Sequence, residues 1–176
     1  MQKLQDNSFD KAIISDSSCL ISLTNINKLD ILKKLFKEII ITPEVAAEYK
    51  EPLPDWIIKK DVKHKDLTIK IKESGLDIGE SSSIALAMET KNSVLILDDD
   101  PARKFALKLG LKITGTIGVI SQAYDQGHIE SYESVCEDLK KVNFRFTPKI
   151  QNEALQKIGI DDKEKHLAPK KKSFRR

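Results

Sequence analysis

The sequence predicts an α/β domain in which a mostly parallel β-sheet is covered by helices on both faces. Short, β-branched apolar runs alternate along the chain with longer segments of helical periodicity. No hairpin turn signal joins two of these runs, so crossover connections are expected between the strands. Right-handed crossovers bring the carboxyl end of every strand to the same edge of the sheet.

The strands are predicted from apolar runs that are too short to form helices. Residues 11–15 (KAIIS), 39–41 (III), 93–97 (SVLIL) and 112–114 (KIT) have this character. Residues 67–71 (LTIKI) alternate between apolar and polar positions, which predicts a further strand at the periphery.

The helices are predicted from apolar residues three and four positions apart and from cap residues. Thr42 and Thr147 each precede a proline, a pattern typical of a helix start. Asp100 is expected to cap the helix that begins at Pro101. The other predicted helices begin near Ser18, cover residues 29–36, 80–90 and 131–142, and run from the turn at 115–118 to residue 126.

Composition indicates one folded domain followed by a basic tail. The chain has 176 residues, of which 40% are hydrophobic and 32% charged, with a net charge of +3. Residues 161–176 carry seven Lys and Arg against three Asp and Glu, so residues 1–160 carry a net charge of −1. We therefore expect a domain over residues 1–160 and a disordered tail over 161–176. No long apolar run or signal peptide is present, so a cytoplasmic protein without membrane contact is expected.

Cysteine and histidine do not suggest a zinc site. Cys19 and Cys136 have no CxxC partners and lie in apolar helical patterns, so both are expected to be buried as small apolar residues. His64, His128 and His166 lie in unrelated parts of the chain. A metal site, if present, should therefore use oxygen ligands.

Acidic residues from four segments are expected to meet at the carboxyl edge of the sheet. Asp16 ends the first strand, and Glu48 lies on the helix after the second. Glu80 opens a helix, and Asp98 and Asp99 follow the third strand. Unpaired carboxylates in a cleft repel one another unless cations neutralise them. Mg²⁺ or Mn²⁺ suits such oxygen ligands, and this pattern is typical of phosphodiester hydrolysis.

Each of these residues also has a simpler interpretation. Asp16 could cap the following helix, Glu48 could be solvated, and Glu80 could complement the helix dipole. Arg103, near the start of the next helix, could pair with the adjacent acids or contact a substrate phosphate. The Asp98–Asp99 pair is harder to explain without a counter-charge, because adjacent carboxylates repel.

A basic cluster lies in the least regular stretch, residues 51–67. Its lysines could bind the phosphates of a nucleic acid, or could simply be solvated. Trp56 is expected to pack beneath this stretch rather than to stack on a base. The lysines concerned are Lys59, Lys60, Lys63 and Lys65.

At these residues the sequence resembles the PIN-domain nucleases, in particular the short prokaryotic branch related to toxins of toxin–antitoxin pairs. The similar segments span residues 13 to about 126. They are IISDSSCLISL (13–23), ITPEVAAEY (41–49), GESSSIALA (79–87) and LILDDDPARKFALKLGLKITGTIGVI (95–120). The resemblance implies a three-layer α/β/α domain with a central, mostly parallel sheet and a metal-dependent endoribonuclease activity.

The resemblance also implies roles for particular residues. Asp16, Glu48 and Glu80 match the family's acids, and either Asp98 or Asp99 matches the acid after the later strand. Serine at position 82 departs from the pattern, because relatives often carry a second acid there. Two supporting positions match as well, Ser18 near the first aspartate and Thr116 in the G-T turn.

Three functions stay open on the sequence. The first is a Mg²⁺- or Mn²⁺-dependent ribonuclease, which the resemblance associates with an antitoxin-like protein partner and often with a homodimer. The second is a PIN-like protein-binding module with weak or no catalysis. The third is another acidic phosphotransfer enzyme such as a Toprim-like domain, whose D-x-D pattern residues 98–100 could mimic.

Overall fold

The structure, a computed structural model, describes residues 11–159. The basic tail expected over residues 161–176 lies outside the described residues. The chain divides into two compact units, residues 1–116 and 117–176. Within the described part, no helix is long and apolar enough to cross a membrane.

The first unit contains a parallel β-sheet with strand order β3-β2-β1-β4-β5. Every adjacent pair of strands in residues 11–116 is parallel. Residues 14 and 40 face each other across β1 and β2, and residues 14 and 95 across β1 and β4. The strands are β1 (Ala12–Ser15), β2 (Ile39–Ile41), β3 (Ile57–Lys59), β4 (Ser93–Ile96) and β5 (Ile113–Thr114).

Helices separate the strands of this unit, as the crossover argument requires. Before the last strand these are α1 (Ser17–Asn25), α2 (Asp30–Phe36), α3 (Pro43–Tyr49), α4 (Lys65–Lys72), α5 (Ile78–Glu89) and α6 (Asp100–Lys108). The N-cap of α3 is Thr42, whose hydroxyl accepts a hydrogen bond from the backbone N–H of Val45 at 3.2 Å. This confirms the start predicted from Thr42 and Pro43.

Both faces of the sheet are buried. On one face, Ile14 and Leu95 pack in a cluster with Ile71 of α4, Ile84 of α5 and Ala106 of α6. Side chains alternate between faces along a strand, so the other face carries Ile13, Ser15, Ile39, Ile41 and Ile96, which are buried as well. The expected three-layer α/β/α architecture with a parallel sheet is therefore confirmed.

One strand prediction was wrong. Residues 67–71 form part of helix α4, in which Thr68 and Ile71 are buried and Ile69 is 58% exposed. The spacing of the buried pair follows the helical repeat, and packing against α5 decides between the two patterns. The sheet instead gains β3 from residues 57–59, which lie in the stretch described as irregular.

The N-terminus of α6 also differs from the prediction. Asp99, not Asp100, is the N-cap, and its Oδ2 accepts a hydrogen bond from the backbone N–H of Ala102 at 3.0 Å. Asp100 is the first residue of the helix. Similarly, α5 begins at Ile78 with Asp77 as its N-cap, two residues before the predicted start.

The second unit is helical over its described residues, 117–159. Helix α7 (Thr116–Asp125) begins at the unit boundary and is followed by α8 (Tyr132–Lys141) and α9 (Pro148–Lys157). Tyr132 is buried and donates its hydroxyl hydrogen to the carbonyl of Gln151 at 3.2 Å, which ties α8 to α9. Cys136 is buried beside it, as Cys19 is in the first unit, which agrees with their expected packing role.

Candidate functional site

The acidic residues occupy the ends of adjacent strands and the helix starts beside them. Asp16 directly follows β1, and Asp98 and Asp99 follow β4, which pairs with β1. Glu48 is near the end of α3, and Glu80 is in the first turn of α5. All of these residues belong to the first unit. The carboxyl edge of a parallel sheet is where α/β folds place their sites.

Asp16 does not behave as an ordinary helix cap. It occupies the N-cap position of α1, yet its side chain makes no capping hydrogen bond. Its Oδ2 accepts a hydrogen bond from the Ser18 hydroxyl at 3.2 Å. Asp16 is only 3% exposed, and its Oδ1 is buried and has no hydrogen-bond partner within residues 11–159. A buried carboxylate oxygen without a partner is costly, so this atom is available to a ligand.

The electrostatic environment of Asp16 favours its neutral form. Burial is the largest cause that raises its pKa, to about 6, and repulsion from Asp77 and Glu48 adds to it. Hydrogen bonds from Ser17 and Ser18 oppose the shift only in part. Asp16 forms no salt bridge within the described residues, so an external cation would relieve this repulsion.

Glu48 is held between two helices and is not simply solvated. Its Oε2 accepts a hydrogen bond from the Ser17 hydroxyl at 2.7 Å, and its Oε1 accepts one from the backbone N–H of Gly79 at 3.1 Å. A Cβ added at Gly79 would lie only 2.7 Å from Cδ of Glu48. The absence of a side chain at position 79 therefore lets the carboxylate reach the first turn of α5.

Glu80 is part of a capping box. Its backbone N–H donates to Oδ1 of Asp77 at 2.8 Å, and its own Oε2 accepts from the backbone N–H of Asp77 at 3.2 Å. Glu80 is 8% exposed. Burial raises its pKa to about 7, and the negative charges of Asp77, Asp99 and Asp16 contribute to the shift.

Asp77 is the acidic neighbour that the sequence analysis missed. It is exposed, and its charge raises the pKa of both Asp16 and Glu80. The signal was present in the sequence, because Asp77 and Glu80 have the spacing of a capping box at a helix start. The helix was instead predicted to begin at Glu80, which left Asp77 out.

The two adjacent aspartates after β4 have different environments. Asp98 accepts two hydrogen bonds from Thr116, one from the backbone N–H to Oδ1 at 2.8 Å and one from the hydroxyl to Oδ2 at 2.6 Å. Asp99 is exposed, caps α6, and contributes a negative charge at Glu80. The two hydrogen bonds from Thr116 therefore fix the Asp98 carboxylate against the first residue of α7.

Arg103 lies beside Asp98. Its Nη1 donates to the carbonyl of Leu97 at 2.7 Å, and a Cβ at Gly115 would lie 3.1 Å from this Nη1 and 2.9 Å from Oδ1 of Asp98. Burial raises the pKa of Asp98, whereas the Thr116 hydrogen bonds and the Arg103 charge lower it. This arrangement favours the interpretation of Arg103 as a partner of the acidic pair.

Ser82, which stands where relatives often carry a second acid, is part of a buried hydroxyl pair. The Oγ atoms of Ser82 and Thr42 are 2.7 Å apart, and both residues are fully buried. Ser82 also donates to the carbonyl of Gly79 at 3.0 Å. The pair joins the N-cap of α3 to the second turn of α5 without adding another charge to the site.

The basic residues lie on the β3 side of the sheet. Trp56 is half-buried, consistent with packing beneath this stretch. Lys59 is the last residue of β3, and the other lysines follow on the way to α4. The side chains exposed in this cluster are those of Lys59, Lys60, Lys63 and Lys65.

The site has the chemistry of a hard-cation site but not a finished coordination shell. Within residues 11–159, no three His, Cys, Asp or Glu side chains are already close enough together to hold one ion. The donors are nevertheless all oxygens, Asp16 Oδ1 is buried without a partner, and no lysine or arginine neutralises Asp16, Glu48 or Glu80 within this range. These features fit Mg²⁺ or Mn²⁺ better than zinc.

A family model described as a PIN domain matches residues 12–160, which is most of the chain. No curated protein and no solved structure matches the chain significantly. The matched range begins at the first residue of β1 and includes all the acidic residues described above.

Proposed function

This chain belongs to the PIN-domain family, and from that premise we propose that it is a metal-dependent endoribonuclease that hydrolyses RNA phosphodiester bonds. PIN domains are generally nucleases, and the chain has the nuclease-type fold. The observation that carries the proposal is the buried Oδ1 of Asp16, which has no partner among residues 11–159 in a site crowded with acids. Such crowding is stable only if a cation or a proton is bound there.

Four acidic side chains are proposed to bind the cation. Asp16, Glu48 and Glu80 are candidates because the negative charge of Glu48 raises the pKa of Asp16, and that of Asp16 raises the pKa of Glu80. Between the adjacent aspartates we choose Asp99, because Asp98 already accepts two hydrogen bonds from Thr116. A divalent cation, when bound, supplies positive charge that polarises a phosphate and lowers the pKa of water.

The remaining residues orient these acids. Ser18 holds Oδ2 of Asp16 and leaves Oδ1 free to bind, and Ser17 with Gly79 fixes the carboxylate of Glu48. Asp77 holds Glu80 through the capping box. Because burial and neighbouring charges raise the pKa of Asp16 to about 6 and that of Glu80 to about 7, cation binding near neutral pH should release the protons that these two acids still hold.

The biological setting belongs to the same proposal. The resemblance to the toxin branch suggests an antitoxin-like protein partner that covers the acidic groove, and often a homodimer. The Toprim-like alternative does not agree with the family match. A binding module with weak or no catalysis is the second candidate, and it is favoured by the lack of three acids already arranged around one ion within residues 11–159.

Cleavage of single-stranded RNA tests the proposal. The purified protein should cleave RNA with Mn²⁺ or Mg²⁺ and lose this activity in EDTA. We expect Asp16→Asn to lower the rate more than about 100-fold, since even outer-shell partners of metal ligands change activity by 10–100-fold. Circular dichroism of the variant should be unchanged.

The adjacent aspartates supply a matched pair of variants. Asp99→Asn should impair cleavage, whereas Asp98→Asn should mainly lower the melting temperature, because it disturbs the two hydrogen bonds from Thr116. Full cleavage by Asp16→Asn would refute the site. If no metal supports cleavage but a protein partner binds tightly, the binding-module function is the correct one.

A further inference from the structure

The segment that carries the basic cluster has a fixed backbone. We define the basic segment as residues 59–65 (KKDVKHK), which contains four lysines and one aspartate. At its start, the backbone N–H of Lys60 donates to the carbonyl of Ile41 at 2.9 Å, which continues the pairing of β3 with β2. At its middle, Val62 is 6% exposed and packs in the core cluster.

The far end of the basic segment is held by one carboxylate. Glu89, the last residue of α5, accepts a hydrogen bond from the backbone N–H of Lys63 at 2.9 Å and another from that of His64 at 2.7 Å. His64 is the N-cap of α4 and makes no capping hydrogen bond with its own side chain. Glu89 therefore supplies the acceptor that the start of α4 lacks.

The pKa of Glu89 agrees with this geometry. Its small burial acts to raise the pKa, but the hydrogen bonds from Lys63 and His64 and the charges of these residues outweigh it, so that the pKa is lowered. The two backbone donors therefore favour the ionised form of Glu89.

The lysines of the basic segment form no salt bridge within residues 11–159. Lys59, Lys60, Lys63 and Lys65 are all exposed. Elsewhere, by contrast, lysines on α2, α8 and α9 pair with acids one helical turn away. Four like charges in seven residues repel one another, so this surface favours an anion.

The position of the basic segment points to the occupant. The basic segment begins at the carboxyl end of β3, and Asp16 lies at the carboxyl end of β1. Because β1, β2 and β3 are parallel, both lie at the same edge of the sheet. Two strand spacings separate β3 from β1, which is about 10 Å. A flexible phosphate backbone can therefore reach from the basic segment to the acidic site. Because Asp16 is buried, a single strand fits this path better than a rigid duplex.

We propose that the basic segment is a preformed phosphate-binding surface for single-stranded RNA, and that Glu89 is the residue that positions it. This inference deepens the proposed function and rests on it for the identity of the substrate. Glu89 does not touch the RNA. It fixes the backbone from which Lys63 and Lys65 extend, so that less conformational freedom is lost when RNA binds.

Substitution of Glu89 gives a test in which two explanations predict opposite signs. If only net charge mattered, Glu89→Ala would tighten RNA binding, because it removes a negative charge beside the lysines. If Glu89 positions the segment, the same variant should bind about 3- to 10-fold more weakly. Glu89→Gln should fall between the wild type and Glu89→Ala, because its amide retains one acceptor oxygen.

Binding should be measured by fluorescence anisotropy with a labelled oligouridylate. All variants carry Asp16→Asn, to prevent cleavage. Glu73→Ala is the control, because Glu73 is an exposed acid whose side chain makes no hydrogen bond or salt bridge within residues 11–159. Hydrogen exchange at Lys63 and His64 should become faster in Glu89→Ala. Lys63→Ala with Lys65→Ala should reduce the slope of log affinity against log salt by about 1.4.

Several outcomes would overturn the proposal. Unchanged or tighter binding by Glu89→Ala, with faster exchange at Lys63 and His64, would show that the hydrogen bonds to Glu89 do not support RNA binding. An unchanged salt slope in the double lysine variant, or equal losses for duplex RNA, would reject the surface or its occupant. Failure of the nuclease proposal is recognised separately, as absence of metal-dependent cleavage by the wild-type protein.

Discussion

Asp16 shows how a single buried carboxylate can indicate a ligand. The residue occupies a cap position, but one of its oxygens is left without a partner in the described part of the chain. A residue kept only for capping would accept hydrogen bonds from the backbone N–H groups in the first turn of the helix. Its location among Asp77 and Glu48 adds repulsion to the cost of burial. Function, rather than stability, is the better explanation for this arrangement.

The raised pKa values of Asp16 and Glu80 predict a pH-dependent stability without metal. Their folded-state values are about 6 and about 7, above the ordinary 3.8 and 4.5. The folded protein therefore holds these protons more tightly than the unfolded chain does, and stability falls as pH rises from about 4 to about 7. For Asp16 the loss is on the order of 2–3 kcal/mol.

Denaturant unfolding in EDTA measures this effect. The contribution of Asp16 and Glu80 should make the wild-type protein more stable at about pH 5 than at about pH 8. Mg²⁺ should restore the stability at the higher pH. Asp16→Asn should unfold with a smaller pH dependence and should be more stable than the wild type at the higher pH. If both proteins lose the same free energy between the two pH values, Asp16 is not the source.

At the residue scale the sequence predicted the candidate acids but not the contacts that each of them makes. Residue type, position in the predicted strands and helices, and the family resemblance together singled out Asp16, Glu48 and Glu80 as candidates. The different environments of Asp98 and Asp99 could not be predicted, because Thr116, which binds one of them, is distant in the sequence. The assignment of these acids as metal ligands stays a prediction.

At the scale of elements, the N-terminus of α5 organises the site. Its cap Asp77 holds Glu80, its Gly79 donates to Glu48, and its Ser82 contacts Thr42 at the start of α3. A helix N-terminus carries exposed N–H groups and partial positive charge, which makes it a suitable neighbour for carboxylates. Two of the acidic segments are thus brought together by one helix turn.

Gly79→Ala tests this arrangement. In an ordinary helix the change stabilises by up to about 1 kcal/mol. Here the added Cβ would lie 2.7 Å from Cδ of Glu48, so the carboxylate must move away. We expect Mn²⁺ affinity, measured by calorimetry, to fall about 10–100-fold with the fold preserved.

A compensating variant provides the control. Adding Glu48→Asp to Gly79→Ala shortens the side chain and should recover part of the affinity. Unaltered Mn²⁺ binding by Gly79→Ala alone would mean that the contact between Glu48 and α5 has no role in the site.

The element predictions succeeded where local patterns were strong. Thr42 with Pro43, and the β-branched runs of β1, β2 and β4, had clear signals, and these elements are confirmed. The LTIKI pattern fits both a strand and a short helix, and α4 forms because α5 covers its apolar side and Glu89 caps its start. The local pattern of apolar residues cannot predict the packing of α5 against α4 or the hydrogen bonds of Glu89, because both involve residues from other segments.

At the scale of the whole chain, charge is distributed unevenly. The net charge of +3 arises from residues 161–176, since the remainder of the chain carries −1. These residues lie outside the described structure, so the argument for them rests on charge alone. A strongly basic tail such as residues 161–176 adds a salt-dependent contribution to nucleic-acid affinity.

Deletion of residues 161–176 should therefore weaken RNA binding and flatten its salt dependence. Each lost phosphate contact should reduce the slope by about 0.7 for a single strand. Anisotropy titrations at several salt concentrations measure this change, with the basic segment at 59–65 left intact as the internal reference. A slope equal to that of the full chain would show that the tail does not contact RNA.

The sequence by itself determined the fold class, the order of the main elements and the family, because each depends on local periodicity or on motifs along the chain. Only the tertiary structure decided which oxygens are free and which are bound. In the tertiary structure, Ser17 and Gly79 donate hydrogen bonds to Glu48, and Thr116 donates to Asp98. Glu89 accepts a hydrogen bond from the backbone N–H of Lys63 in the basic segment. These contacts join residues far apart in the sequence, and the spacing of residue types does not encode their geometry.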